Sequence, residues 1–126
     1  MMGKYNNMIS ELGGILGVDL ELDENNQCLI SVNNILISII ILKNRMVFYA
    51  NLCEINDYDT LVMALSINAT VSESGLGGIG YDSLSDSIVF IRSIEIIYDP
   101  YAISEILREV IGVSTKILSD LPKRNI

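Results

Sequence analysis

Residues 35–55 read ILISIIILKNRMVFYANLCEI: an apolar run, a three-residue break at Lys43, Asn44 and Arg45, and a second apolar run. Both runs are rich in β-branched and aromatic residues, which suit a pleated sheet. The break has the length of a hairpin turn. We therefore predict two antiparallel strands that form a central hairpin.

The first run is too apolar for a strand with one face in water. Apart from Ser38, every residue from 35 to 42 is aliphatic, so polar and apolar residues do not alternate. Such a run is typical of a strand that is covered on both faces. It is also far shorter than the roughly 20 apolar residues of a membrane span. The surface is either ordinary core or a seam for a second copy or a partner chain, and the sequence leaves both open.

The composition predicts one acidic domain. The chain has 126 residues, 50% of them hydrophobic, with 8 basic and 16 acidic side chains and a net charge of −8. This length is typical of one compact domain, residues 1–126. The negative charge argues against nucleic acid or an anionic membrane as a partner. Cys28 and Cys53 are expected to be buried, reduced thiols, with a disulfide between neighbouring strands as the alternative.

Hydrophobic periodicity organises the first half of the chain. Apolar residues at helical spacing predict a helix from 5 to about 17, although Gly13 and Gly14 lie inside it and lower its helix propensity. A strand at 27–32 joins the hairpin to make a three-stranded meander. Polar residues at 56–59 include several candidate N-caps for a second helix of about a dozen residues.

The second half continues with two strands and a helix. A glycine- and serine-rich loop from 71 to 87 holds one short strand at 79–82, and a longer strand follows at 88–98. The dipeptide Asp99-Pro100 begins a last helix, and Pro122 ends it. The order α-β-β-β-α-β-β-α predicts an α+β fold, in which helices flank a mostly antiparallel sheet.

Motifs that would indicate an enzyme are weak. Residues 75–80, GLGGIG, match the letters of the dinucleotide-binding pattern, but they follow a helix and precede a strand. A pyrophosphate needs the opposite order, with a helix N-terminus after the glycines. The paired carboxylates Asp57 and Asp59 lie at a helix start, and Asp82 and Asp86 lie in a loop, where capping and turns explain them. We expect no catalytic residue and no nucleotide cofactor.

Metal sites are also weakly indicated. Histidine is absent, which removes the commonest transition-metal ligand and the usual general base. The acidic cluster at 23–27, DENNQ, lacks the ligand spacing of an EF-hand loop. A solvated turn is the expected structure there.

Three segments, in this order and in a small acidic chain, carry a family resemblance. GVDLELDENNQCLISV at 17–32, LVMALSINA at 61–69 and YDSLSDSIVFI at 81–91 resemble class I type III secretion chaperones, the Tir-chaperone-like family. The resemblance runs from Met8 to Leu121. It implies a cytoplasmic homodimer in a Gram-negative bacterium that uses no ATP itself. Such a protein binds the N-terminal region of a secreted effector in extended form, keeps it soluble, and hands it to the export apparatus, whose ATPase is an implied partner.

The resemblance also implies two binding surfaces. In that family the second helix and the strand after it form the dimer interface, and apolar patches on the first helix and the sheet take the effector. On this chain the implied dimer residues are Leu61, Leu65, Asn68, Ile79 and Tyr81. The implied effector-binding residues are Met8, Leu12, Leu29, Ile30 and Phe48.

A dimeric scaffold that resembles roadblock or longin domains is the alternative function, and an enzyme ranks third. A scaffold binds folded domains, whereas a chaperone of this kind binds an unfolded segment, so protease protection of the partner's N-terminal region separates the two. An extended client can add backbone hydrogen bonds to an exposed strand edge while its side chains fill apolar patches. The expected function is therefore that of a secretion chaperone.

Overall fold

Three helices and one five-stranded sheet build the protein. The computed structural model describes residues 2–55 and 57–121, in the predicted order α-β-β-β-α-β-β-α. The predictions made for Asn56 and Pro122 lie outside the described residues. The helices are α1 (Met2–Leu16), α2 (Tyr58–Glu73) and α3 (Pro100–Asp120). The strands are β1 (Gln27–Val32), β2 (Ile35–Leu42), β3 (Arg45–Glu54), β4 (Gly78–Asp82) and β5 (Ser87–Glu95).

β2 and β3 form the central hairpin. Leu42 pairs with Arg45, so the turn has two residues and not the three predicted. Lys43 in this turn has a φ of 56°, and Asn33 and Asn34 in the β1–β2 turn have φ values of 52° and 67°. Left-handed residues in two-residue turns match the right-handed twist of the flanking strands. Turn geometry therefore helps to fix the register of the meander.

The sheet has the strand order β1-β2-β3-β5-β4, and every neighbouring pair is antiparallel. The sheet edges are therefore β1 and β4, with β3 at the centre. α2 extends to Glu73, beyond the predicted dozen residues, and Asp57 caps it by accepting a hydrogen bond from the Thr60 N–H at 2.7 Å. Asp99 caps α3 in the same way, as the Asp-Pro dipeptide predicts.

One face of the sheet, which we call the inner face, holds the core. Ile39 on β2, Phe48 on β3 and Phe90 on β5 are fully buried there. Burying side chains of this size contributes about 1.5–3 kcal/mol each. α3 packs on β3 and β5, and α1 packs on α3. The Arg92 guanidinium on β5 donates to the Glu109 carboxylate on α3 at 2.6 Å, which ties helix to sheet.

The two cysteines lie on strands that are not neighbours. Cys28 is on the edge strand β1 and Cys53 is on β3, with β2 between them. No disulfide joins them, and Cys28 is buried as predicted, whereas Cys53 is half-buried. Burial raises the pKa of the Cys28 thiol to about 11, so this thiol stays protonated at neutral pH.

Gly13 and Gly14 are neighbours in α1 with opposite surroundings. A Cβ on Gly13 would lie 2.5 Å from the Val18 carbonyl oxygen, whereas a Cβ on Gly14 would meet nothing within 4 Å. We expect Gly13→Ala to lower the free energy of unfolding by about 1–3 kcal/mol, because the loop after α1 must move away. Gly14→Ala should raise it by up to about 1 kcal/mol through helix propensity alone. Urea unfolding measures both changes, and a Gly13→Ala variant as stable as the parent would contradict the close approach.

Ser114 is a buried hydroxyl without a partner. Among residues 2–55 and 57–121 its Oγ has no hydrogen-bond partner, and the side chain is fully buried in α3. Burying a hydroxyl without a hydrogen bond costs about 1–3 kcal/mol. We expect Ser114→Ala to raise the free energy of unfolding by about 1 kcal/mol. Ser104→Ala is the matched control, because the buried Ser104 Oγ donates to the Tyr101 carbonyl at 2.7 Å and its removal should not stabilise the fold.

Candidate protein-binding surfaces

The face of the sheet opposite the core, which we call the outer face, is apolar and partly exposed along β1 and β2. In β2 the buried residues alternate with residues that are exposed or half-buried, although nearly all its letters are aliphatic. Leu29, Leu36 and Leu42 are 55%, 47% and 56% exposed, and Ile40 between them is half-buried. The sequence predicts cover on both faces of this strand. Residues 2–55 and 57–121 leave the β1–β2 half of the outer face uncovered.

The other half of the outer face carries side-chain hydrogen bonds between strands. The Tyr49 hydroxyl on β3 donates to Asp82 Oδ2 on β4 at 2.9 Å, across the intervening β5. Burial and this hydrogen bond raise the pKa of Tyr49 to about 12, and the same bond holds the pKa of Asp82 below its usual range. Arg45 Nε donates to Ser93 Oγ at 3.1 Å. These bonds join β3 to β4 and β5 beside the apolar half of the face.

β1 adds an open strand edge to the apolar half. β1 pairs with β2 on one side and is the end of the sheet on the other. Asp23 closes the start of this edge, because its Oδ1 accepts the Gln27 N–H at 3.1 Å and its own N–H donates to the Gln27 carbonyl at 2.9 Å. The open part of the edge therefore begins after Gln27. An extended peptide can pair with such an edge through its backbone.

α2 and β4 form the second candidate surface. The Asn68 side-chain oxygen on α2 accepts the Ile79 N–H of β4 at 2.8 Å, which locks helix and strand together. Leu65 and Tyr81 are 63% and 54% exposed, and Leu61 is half-buried, like Asn68 and Ile79. The structure therefore places all five implied dimer residues on one pair of elements, α2 and β4. Whether they form a dimer interface stays a prediction.

This second surface is more apolar than the implied residues alone indicate. Tyr58, Val62 and Met63 on α2 are 77%, 42% and 42% exposed, and Leu84 in the β4–β5 turn is 98% exposed. The sequence signal was present at Val62, which falls on the periodic stripe of the helix. No periodic apolar pattern includes Leu84, which stands alone among serines and aspartates.

Four of the five implied effector-binding residues are part of the core. Met8 and Leu12 on α1, Ile30 on β1 and Phe48 on β3 are at most 8% exposed, whereas Leu29 is 55% exposed. A fully buried side chain can contact a client only if helix or sheet moves. Of the five residues, Leu29 is therefore the one whose side chain a client can contact without such a movement, and the four buried residues lie beneath it.

The glycine loop is a packing feature. Gly77 lies between α2 and β4 with a φ of +140°, and a Cβ there would meet the Ile91 carbonyl oxygen at 2.5 Å and the Phe90 ring at 2.7 Å. A strand and not a helix follows the glycines, so the chain order of a dinucleotide-binding loop is not found here. The Asp86 carboxylate accepts the Tyr81 hydroxyl at 2.6 Å, which gives the second carboxylate pair a structural role.

None of the helices in residues 2–55 and 57–121 has the length and apolarity needed to cross a membrane. Within the same residues, no three Cys, Asp or Glu side chains converge as a metal ion would require.

Solved structures share this fold. A chain in the crystal structure of the ExsC–ExsE complex has a TM-score of 0.84 at 16% identity, covering 99% of this chain and 98% of that chain. A chain in the HopA1–SchA chaperone–effector complex has a TM-score of 0.76 at 13% identity, covering 92% and 94%. The structure of the Yersinia pestis type III secretion chaperone SycH with a fragment of YscM2 gives 0.65 at 13% identity, covering 90% and 98%. At these identities the likeness establishes the fold.

The family follows from the sequence itself. No curated protein sequence matches the chain. The sequence model of the Tir chaperone protein (CesT) family matches residues 7–118, which include most of α1, all five strands, α2 and nearly all of α3. The resemblance seen in the sequence is thereby confirmed: the chain belongs to the Tir chaperone protein (CesT) family.

Proposed function

We propose that this chain is a type III secretion chaperone that acts as a single domain and a homodimer in the cytoplasm of a Gram-negative bacterium. It binds the N-terminal region of a cognate effector as an extended segment, keeps it soluble, and delivers it to the export apparatus and its ATPase. The family match over residues 7–118 carries this proposal. Relatives of the same fold in a chaperone–effector complex and in a complex with a stable fragment give further support.

The client lies on the apolar half of the outer face. The apolar side chains of Leu29, Leu36 and Leu42 are about half exposed. They lie on the edge strand β1 and on its neighbour β2. Alternate side chains of an extended segment point the same way, so a client strand on β1 can direct every second residue across this face. Backbone hydrogen bonds supply affinity that depends little on client sequence, and the leucines supply preference for apolar residues.

The charge of the chaperone favours neutral or basic client segments. The net charge is −8, and Asp19, Glu21 and Glu24 are exposed in the segment that leads into β1. Attraction between this segment and a basic client raises the rate of association and weakens as salt screens it.

The dimer forms through α2 and β4. Leu65 and Tyr81 are large apolar side chains left exposed on two elements that Asn68 already locks together. A rigid apolar patch of this kind is what a two-fold interface uses, because the same residues serve both protomers. Pairing through α2 and β4 leaves the β1 edge of each protomer open for a client.

Deletion of the gene in its own bacterium tests the proposal. The secreted fraction should lose one or a few proteins that are still made in the cell, and the intact gene should restore them. The affected protein should co-purify with the tagged chain. Limited proteolysis and mass spectrometry of that complex should recover a protected segment from the N-terminal region of the client.

The same experiment decides against the alternative function. A partner that is protected as a whole folded domain would identify a roadblock- or longin-like scaffold. An unchanged secreted fraction would refute the chaperone function outright. Light scattering behind a sizing column gives the solution mass, and twice the protomer mass of 13.9 kDa is expected.

A further inference from the structure

Leu84 is an apolar side chain on a polar turn. It is 98% exposed in the β4–β5 turn, between Ser83 and Ser85. The turn is well ordered by hydrogen bonds, because Asp82 Oδ1 accepts the Leu84 N–H at 2.9 Å. Single exposed leucines need no explanation by themselves. This one is notable because the same molecule carries an apolar cavity between two helices.

The cavity lies between the C-terminal halves of α2 and α3. Its volume is about 300 Å³, and Ile67 and Val71 on α2 and Val113 and Ile117 on α3 form its apolar wall. The space is partly open to solvent, Lys116 and Asp120 also line it, and its volume accommodates a leucine side chain.

Leu84 and the cavity lie at opposite ends of α2. The Ile55 N–H, just before α2, donates to the Asp86 carbonyl at 2.8 Å, so the β4–β5 turn lies beside the start of the helix. The cavity is lined by residues from 67 onward, at the end of the helix. A helix of 16 residues is about 24 Å long, so Leu84 does not reach the cavity of its own chain.

Resting on the homodimer of the proposed function, we propose that Leu84 of each protomer inserts into the α2–α3 cavity of the other. When two copies of α2 pack antiparallel about a two-fold axis, the start of one helix lies beside the end of the other. Each Leu84 then lies beside the partner's cavity, and the contact occurs twice.

The apolar area on this side of the molecule suits such a contact. A stable interface buries roughly 800 Å² of each partner, with aromatic and aliphatic side chains at its centre. Five large apolar side chains on one side of α2, on β4 and on the turn are exposed and contribute to that area: Tyr58, Val62, Leu65, Tyr81 and Leu84.

Sedimentation equilibrium of Leu84→Ser is the first test. Leu84 makes no contribution to the monomer core, so the variant should fold normally by circular dichroism. The dimer dissociation constant should rise about tenfold or more, because two buried leucines are lost for each dimer. Leu84→Met should restore tight dimers, and Val18→Ser, which removes a 45% exposed side chain in the loop after α1, should not weaken them.

A cross-linking experiment tests the geometry directly. Thr70 is exposed and lines the cavity, so a Thr70→Cys chain mixed with a Leu84→Cys chain should form an intermolecular disulfide under mild oxidation. A disulfide requires Cα atoms within about 7 Å. Leu84→Cys mixed with Val18→Cys should give none.

The outcomes separate this inference from the proposed function. A parent protein that dimerises, a Leu84→Ser variant that dimerises equally well and an absent cross-link would overturn the inference and leave the dimer standing. A parent chain that is monomeric at every concentration would overturn the dimer and the insertion together, while effector secretion would still test the chaperone function.

Discussion

Replacing Leu65 by aspartate is expected to convert the protein to monomers at micromolar concentration. The Leu65 side chain is 63% exposed in the protomer, on the helix that Asn68 locks to β4. In the proposed dimer the variant places an unpaired carboxylate in an apolar contact, which costs several kcal/mol. The dissociation constant should rise by about a hundredfold or more, since each 1.4 kcal/mol is a factor of ten.

Because Leu65 is exposed in the protomer, loss of the dimer in this variant can be distinguished from unfolding. An aspartate at an exposed helix position leaves the monomer fold intact, so circular dichroism should be unchanged while light scattering falls to the protomer mass of 13.9 kDa. Ser119→Asp on α3 is the matched control: it adds the same charge at an exposed helical site and should stay dimeric. Leu65→Asp that still scatters as a dimer would place the interface elsewhere than α2.

The order of helices and strands could be predicted because the strongest local signals agree with the tertiary structure. The Asp-Pro dipeptide at 99–100 begins α3, and the two apolar runs form β2 and β3. The end of α2 could not be predicted in the same way. Thr70 and Ser72 are weak helix formers next to a glycine loop, so propensity favours an earlier end, and packing of Ile67 and Val71 against the core extends the helix to Glu73.

The exposed face and the buried face of β2 are hard to distinguish from the sequence. Ile37 and Ile39 are fully buried, while Leu36 and Leu42 are about half exposed, yet all four are aliphatic. Ser38, the one polar residue of the strand, lies on the outer face with Leu36 and Leu42, so a single residue marks which face is exposed.

Core residues and client-binding residues are hard to distinguish from the sequence for a similar reason. An apolar stripe such as that of α1 reads alike whether it packs on a core or lines a groove. In the structure Met8 and Leu12 are buried in the core, because α1 packs against α3. The α2–β4 pairing could be inferred only through the family resemblance, since the Asn68 to Ile79 hydrogen bond joins residues that no local pattern relates.

Replacing Leu29 by aspartate should weaken client binding at least about tenfold while the dimer and the fold remain intact. Leu29 is the one implied effector-binding residue with a largely exposed side chain, and it lies on the edge strand β1. A client strand that pairs with β1 covers this side chain, so an aspartate there would be desolvated without a partner, at a cost of about 1–3 kcal/mol or more. Leu12→Asp cannot replace this test, because a carboxylate at a fully buried position would destabilise the whole fold.

Ser31→Asp is the matched control for this variant. Ser31 is exposed on the same strand and, two residues on, the same face, so both variants add one negative charge to the client surface. Calorimetric titration with the client segment recovered by proteolysis should give a smaller loss of affinity for Ser31→Asp, which removes no apolar contact, than for Leu29→Asp. Equal losses would mean that charge repulsion, and not apolar contact, governs binding at this edge. Parent-like affinity in Leu29→Asp would exclude the β1 edge, and the client would then have to bind on another surface of the chain.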